Sequence, residues 1–494
     1  MSNSISGILM GIKLQKHLSH HLYQYSFAPN PDWSQFYWRW YSYASSQEIQ
    51  GYLKAVVEEY NLNPSISYNS RVIHAQWQAR SAAWTIEIEN HGVIESEILI
   101  SAGGILNNPQ MPEIPGLDTF GGPLLHTAAW NDSVDLRGKR VAIIGAGASA
   151  VQLLPKIQPL VDHVDVYIRT LSWISPPVAL PNGVSKFHVY SEEEKEAFRA
   201  DPESYRQMRK GLENQFNEMF SAFMKDSPEQ QRLRGRFEST MKALIQDKSL
   251  QENLIPKFEA GCRRVNPGEE YLVALQETNV RPIFKPIREI TRKAVVMDDG
   301  EENTAEILIA ATGFNTSFRP RFPDLWETDL VSYFGIAVSG FPNYLMFLGP
   351  NTPISNGSLM GPLEATSDYV VRVIRKVVRQ RIRTFDIQPE VQVDFDNHTQ
   401  EFMQDMVWTG TCRSWYKNNK TGKITALWPG SSLHYMQSLA EDRWEDYRFE
   451  YGGNQFEQRS QRMSTVPDQD SDLSFYLADG VPLQRGGVKE KSVL

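Results

Sequence analysis

The sequence predicts an α/β protein of two dinucleotide-binding, Rossmann-like domains, one inserted in the other and itself carrying a helical insertion. Three observations carry this reading. Val141–Ala150 (VAIIGAGASA) is a strand running into a glycine turn and the start of a helix, with a further strand at 163–170. Two similar apolar stretches, 97–103 (EILISAG) and 306–313 (EILIAATG), flank that unit, and their non-alternating character suits strands buried on both faces. Between the second strand and the second stretch, Ser191 to Gln251 is charged and helix-like.

Taken in order, residues 5–18 read as a short helix on the spacing of Ile5, Ile8, Leu9 and Ile12. An aromatic, turn-rich stretch runs from Leu22 to Tyr43, and Gln47 to Tyr60 is helical again. Residues 71–102 alternate strand-like runs and form a small antiparallel excursion that returns to a core strand. The two flanking stretches are expected to be strands of one nucleotide-binding sheet, their small terminal residues letting a ligand approach the backbone. The expected division is 1–130 and 306–450 for the outer domain, 131–305 for the inserted one with helices at about 185–255, and a polar tail at 451–494.

Composition narrows the function classes. A chain of 494 residues exceeds what one core usually organises. Fifty basic against 59 acidic residues give a net charge of −9, which argues against nucleic acid as a partner. Cys262 and Cys412 cannot make a disulfide framework, and a reducing compartment fits. The opening MSNSISGILMGIKLQKHL is too short in its apolar part, and lacks a basic front end, for a secretory signal. No stretch reaches bilayer length, so a cytoplasmic location is expected.

The glycine turn gives the first site. Gly145 permits a tight turn, Gly147 lets the backbone approach a pyrophosphate, and Ala150 allows close helix–strand packing. With Ala146, Ala148 and Ser149 these residues place free amides at a helix N-terminus, where an anion binds. The second strand ends in Arg169-Thr170, and 169 − 147 = 22 sets Arg169 where an acidic residue would hold the ribose of NAD. A guanidinium there favours the 2′-phosphate of NADP.

Phe120-x-Gly122-x-x-x-His126-x-x-x-Trp130 lies in the link between the domains, where a His and a Trp could couple their motions. It resembles the FxGxxxHxxxW fingerprint of Baeyer–Villiger monooxygenases and departs from it only at Asn131, where Pro or Asp is usual. Related heteroatom-oxidising flavin monooxygenases carry Tyr or Phe where Trp130 stands. Further stretches resemble the same family. Arg169-Thr170 with Trp173 is similar to its NADP-phosphate strand, and Gly261-Cys262-Arg263-Arg264 to its catalytic loop. Ala311-Thr312-Gly313-Phe314 resembles the strand closing the FAD domain, and 340–343 through 349–351 the stretch beneath the flavin. Similarity covers most of Leu22 to Leu439 and is nearest to fungal enzymes acting on polyketide ketones, including those of versicolorone-type mycotoxin pathways.

The resemblance implies FAD and NADPH as cofactors and dioxygen and a ketone as substrates, the product being an ester or lactone; no metal is implied. It gives Arg264 the task of steadying negative charge on the activated oxygen, which suits a cation that does not donate its proton. Arg263 is placed beside NADP, and Thr312, Gly313 and Asn351 near the flavin. The inserted helices and the aromatic stretch 408–416 are expected to shape the ketone pocket. The family also opens with a strand, a GxGxxG turn and an acidic residue, then GGTW and YPGxxxD motifs, none of which stands in this sequence. Residues 6–11 resemble the helix after that turn and join almost directly to 19–23. A second reading therefore stands beside the first: a scaffold that has lost flavin and serves a non-redox biosynthetic or NADP-binding role.

Overall fold

The computed structural model describes residues 15–30, 43–176, 190–316, 330–355 and 357–454, the side chains of 15–21 and 43–46 aside. The first strand, β1 (Gln15–Ser19), pairs antiparallel with β2 (Tyr43–Ser45), and α1 (Ser46–Glu59) follows. The helix expected over 5–18 lies outside the described residues up to 14. At Gln15–Leu18 it is replaced by strand, because the ladder to β2 takes up the backbone hydrogen bonds. The helix expected over 47–60 is α1, which buries Tyr52 and Val56 against Tyr25 and Ala28.

The antiparallel excursion is a meander of β3 (Val72–Gln78), β4 (Ala83–Ile88) and β5 (Gly92–Ser96), with β4 in the middle. Trp84 and Ile86 of β4 face inward, and the chain turns into β6 (Leu99–Ser101). Next come β7 (Leu124–His126), β8 (Arg140–Ile144), α2 (Ala148–Ile157), β9 (His163–Tyr167) and the short β10 (Ile174–Ser175). Four helices then form the insertion: α3 (Glu192–Ala200), α4 (Pro202–Glu218), α5 (Pro228–Leu244) and α6 (Lys248–Leu254). Each begins at a side-chain cap, Ser191, Asp201, Ser227 and Asp247 in turn accepting from the amide three residues on. Their starts are thus written locally in the sequence.

The chain returns through β11 (Asn266–Pro267), α7 (Glu269–Ala274) and β12 (Val280–Ile283), then a three-stranded meander of β13 (Ile287–Ile290), β14 (Ala294–Met297) and β15 (Glu302–Thr304). β16 (Ile307–Ala310) and β17 (Tyr344–Met346) follow. The last elements are α8 (Met360–Gln380), β18 (Ile382–Ile387), α9 (Pro389–Met403), α10 (Ser432–Ala440) and β19 (Tyr447–Tyr451), with β18 and β19 antiparallel.

The principal sheet is all parallel, in the order β12-β9-β8-β16-β7. Its three inner strands are buried on both faces, as parallel strands covered on both sides are; β8 and β16 are apolar throughout their buried part, while β9 carries the buried Asp165, paired with Arg281 at 2.8 Å. Pro282, which has no N–H to give a ladder, lies in the edge strand β12. This order corrects one expectation. The two similar stretches do not share a sheet: β16 lies between β8 and β7, whereas β6 pairs with β17. Both are apolar runs ending in small residues, and that pattern carries no record of which neighbour a strand pairs with. Strands on the outer sides of positions 130 and 306 accordingly belong to the same sheet as β8.

Two large cores result. One packs α2, α7 and part of the helical insertion on the five-stranded sheet, through Val141, Ile143, Leu154, Phe237 and Met241. The other gathers Tyr333, Tyr369, Phe385, Trp428 and Tyr447 around α8 and the β18–β19 pair.

Candidate active site

Strand order reverses between β8 and β16: from β8 the sheet grows through β9 to β12, and on the other side lie β16 and β7. A crevice opens outside the carboxyl ends of strands at such a point. Both glycine-containing turns lie there. Gly145 has φ 116, and a side chain on it would come 2.6 Å from the Ala311 carbonyl oxygen. Only glycine meets both demands. The turn is pinned by hydrogen bonds from Gly145 N–H to the Tyr167 carbonyl (3.0 Å) and from Ala311 N–H to that of Ile144 (2.9 Å).

Gly147 starts α2 with no side-chain cap, and a Cβ there would meet nothing within 4 Å. Ala146 and Ala150 are buried, while Ala148 and Ser149 remain half-buried at the helix mouth. The result is an open, amide-lined cradle that fits a pyrophosphate. Gly313, just beyond β16, has φ 81 and is likewise open in front, as are Gly103 and Gly104 after β6. Those spaces fit a second flat or phosphorylated group.

Arg169 is exposed at the end of β9, with Thr170 half-buried beside it. Arg263 is half-buried and donates to the Leu171 carbonyl at 2.7 Å. Burial disfavours its charge, the phenol of Tyr416 opposes that, and the charge of Arg169 adds to it. The structure thus brings together two guanidiniums that the sequence places 94 residues apart, 263 − 169. Among the described residues no carboxylate pairs with either. Such a pair fits a dianionic phosphate.

Arg264 is exposed and has no ion pair among the described residues. Its charge reaches two tyrosines, Tyr23 and Tyr416: burial pushes both phenols up, and the guanidinium opposes it in each. The cation is therefore within electrostatic reach of two buried phenols and has no carboxylate partner among the described residues.

Cys262, one residue before this pair, forms a disulfide with Cys412, their Cα atoms 6.2 Å apart. The expectation from sequence is that two cysteines make no disulfide framework and suit a reducing compartment; the structure pairs them in a single bridge, because chain passes 150 residues apart meet. Both cysteines are buried. The aromatic stretch is also corrected in part. Trp408 is wholly buried against Phe223, so it forms the floor of the region rather than an open wall; Tyr416 alone of the pair reaches the arginines.

His126 ends β7 beside Ala310 of β16. Its Nδ1 accepts the Ala128 N–H at 3.0 Å, and Nε2 is buried with no hydrogen-bond partner among the described residues. Burial holds the imidazole below the usual histidine pKa, with the backbone of Gly313 and Gln110 opposing, so it is neutral at physiological pH. Gly122 of the same motif lies so close to the Glu306 carbonyl that a side chain would collide with it. Trp130 packs on the core of the principal sheet with its Nε1 buried and unpartnered among the described residues. The motif therefore fastens β7 to β16 and seats Trp130 behind the sheet.

Thr312 donates its hydroxyl to the Gln110 carbonyl, and Asn351 gives its side-chain amide to the carbonyls of Ile424 (3.1 Å) and Leu427 (2.9 Å). Both side chains shape the backbone of their turns. Tyr23 and Tyr416 are the site residues that sequence reasoning did not single out. Each sits in an aromatic stretch, but their meeting with Arg264 depends on contacts between distant parts of the chain.

Comparison with known proteins agrees with this arrangement. A model of the pyridine nucleotide-disulphide oxidoreductase family matches residues 31–185. The FAD-binding monooxygenase moxY of Dothistroma septosporum is 37% identical over 495 residues, spanning 90% of this chain and 78% of its own. A Baeyer–Villiger monooxygenase of Streptomyces coelicolor is 32% identical over 87% of this chain and 82% of its own. The solved structure of cyclohexanone monooxygenase from Rhodococcus sp. Phi1 bound to NADP+ shares the fold, with TM-score 0.75 and 24% identity over 89% of this chain and 90% of that one.

Proposed function

The chain belongs to the FAD-binding Baeyer–Villiger monooxygenases, and from that premise we propose that it oxidises a ketone to an ester or lactone with NADPH and dioxygen. FAD when bound supplies the activation of dioxygen, and NADPH supplies the hydride. The observation that carries the reading is Arg264, an exposed guanidinium without a carboxylate partner among the described residues, within electrostatic reach of the buried phenols of Tyr23 and Tyr416. A cation of this kind holds developing negative charge at an oxygen and cannot quench it by proton donation.

The remaining residues bind and orient. The turn Gly145–Ala150 takes the pyrophosphate of NADPH, and Arg169 with Arg263 takes its 2′-phosphate. His126 and Trp130 hold the β7–β16 junction, so that the Gly145 turn and the Thr312–Gly313 turn keep their spacing. The division of the chain near 131 and 306 is kept as the functional one, with β7 and β16 lending their strands to the nucleotide sheet.

The substrate is assigned to polyketide-type ketones of secondary metabolism, on the likeness of the sequence to fungal enzymes of that kind. Among the described residues no helix is long and apolar enough to cross a membrane. A cytoplasmic location is the reading adopted.

Purified protein tests the proposal. Yellow protein whose NADPH oxidation rises with ketone, and whose product carries one oxygen from labelled dioxygen, supports it. Arg264→Ala should lower ester formation by roughly 100-fold or more, the scale of losing a charge-stabilising donor, while NADPH oxidation continues and ends in hydrogen peroxide. Undiminished ester yield in that variant removes Arg264 from the chemistry. One observation favours the second reading, a scaffold without flavin: the parallel sheet containing β6 has two strands among the described residues, β6 and β17. Colourless protein that does not take up added FAD but still binds NADP+ would establish it.

A further inference from the structure

We infer that the Cys262–Cys412 disulfide is a positioning element of the site, tying the segment that carries Arg263 and Arg264 to the segment that carries Tyr416. The inference rests on the proposed function for its chemical consequence, and on the geometry alone for the tether.

Three facts lead to it. The disulfide lies immediately before the two arginines in sequence and four residues before Tyr416, 416 − 412. The tyrosine in turn is buried within electrostatic reach of both guanidiniums. One covalent link therefore joins the two segments that carry these side chains.

The segment's other anchors lie to either side of the arginines: Ala260 exchanges hydrogen bonds with the Gln230 side chain (2.8 and 3.0 Å), and β11 pairs with β10. Backbone hydrogen bonds run from Cys262 N–H to Glu259 (3.2 Å) and from Asn266 N–H to Trp173 (3.3 Å), one on each side of the arginines. Arg263 reaches one carbonyl, that of Leu171. No ion pair among the described residues holds Arg264. A long side chain with no partner keeps its place only as well as its backbone does, and misplacement by about 1 Å is enough to cost catalysis about 100-fold.

Packing around the link agrees with close docking. Gly261 has φ 90, and a side chain there would run into the ring of Phe223. A side chain on Gly410 would meet the Glu259 carboxylate and come 3.3 Å from the Cys262 sulfur. Two small residues thus let the passes around 261 and 410 close upon each other, and the sulfur bridge spans the contact. Opening it takes two electrons and two protons: a dithiol such as dithiothreitol gives both, its own sulfurs joining as a disulfide while Cys262 and Cys412 become thiols.

The first measurement is thiol content. Protein quenched and unfolded in iodoacetamide without reductant should carry no alkyl group, and after reduction should carry two. Two alkyl groups before reduction overturn the inference. The second uses Cys412→Ser and Cys412→Val, the latter keeping an apolar side chain at the site. Amide hydrogen exchange over 259–266 should quicken, and NADP+ should bind several-fold more weakly, in both variants and in dithiothreitol-treated wild type. Unchanged exchange and affinity in all three overturn the inference.

Turnover provides the link to function. The share of consumed NADPH recovered as hydrogen peroxide rather than ester should rise in the variants, with the overall rate of NADPH consumption changing less. If wild type oxidises no ketone, yet exchange and NADP+ affinity respond as expected, the proposed function fails and the tether stands. If ketone is oxidised with the same partition in wild type and variants, the positioning role fails alone.

Discussion

Arg169 and Arg263 lie within electrostatic reach of each other on different chain passes, each without a carboxylate to neutralise it among the described residues. Removing either should weaken NADPH far more than NADH, because only the former has the extra phosphate. A charge-assisted contact of this kind contributes roughly 1.5–3 kcal/mol, or about 10- to 100-fold in affinity. Titrations of Arg169→Ala and Arg263→Ala with NADP+ and NAD+ check this, and equal losses for the two nucleotides would contradict it. Gly261 is the residue on which the neighbouring arginines depend most sharply. Gly261→Ala adds a Cβ at φ 90 against the Phe223 ring, which combines left-handed backbone cost with overpacking. A loss of about 2–5 kcal/mol in unfolding free energy is expected, read by denaturant titration, together with weaker NADP+ binding. Arg169 was legible in the sequence because its distance from Gly147 is set within one βαβ unit. The meeting of Arg263 with Arg169, and of Arg264 with Tyr23 and Tyr416, was not, since no local spacing encodes it.

Among the elements, those defined by local chemistry were readable. The strand, glycine turn and helix at 140–157, the meander from 72 to 96 and the capped helices from 192 to 254 each follow from neighbouring residues. The neighbours of β6 and β16 were not readable, because two apolar runs of the same composition are interchangeable until long-range pairing chooses between them. The cysteines misled for a similar reason: a count of two says nothing about whether distant passes meet. The β18 strand allows a test at this level. Asp386 is largely buried where it accepts the Gly340 N–H, and burial raises its pKa to about 6, with the backbone amides of Gly340 and Ile387 opposing. A carboxyl whose folded pKa lies above its unfolded value, ordinarily near 4, adds stability fully below that unfolded value. The contribution fades as pH rises through about 6. The stability of wild type relative to Asp386→Asn should therefore fall between pH 4 and pH 7. Urea unfolding at both ends of that range checks the sign, and a difference that grows with pH would refute it.

At the scale of the whole molecule, the link between Cys262 and Cys412 closes a loop of 150 residues. In the chain-entropy account, such a closure stabilises the fold by up to about 5 kcal/mol, by restricting the unfolded chain. Reduction should therefore shift the denaturant midpoint clearly downward, and coincident unfolding curves with and without reductant would show that the link adds nothing. The same account applies to the Cys412 variants, so exchange and NADP+ affinity must be measured well below their unfolding transitions.

The order of the principal sheet also bears on synthesis. β7 leaves the ribosome early, yet its one partner in the sheet, β16, follows some 180 residues later. At roughly 5–20 residues per second, the nascent strand waits on the order of ten to forty seconds with its hydrogen-bonding edge unpaired. During that interval Leu124–His126 is a target for chaperone capture, and faster translation through 127–306 shortens the exposure.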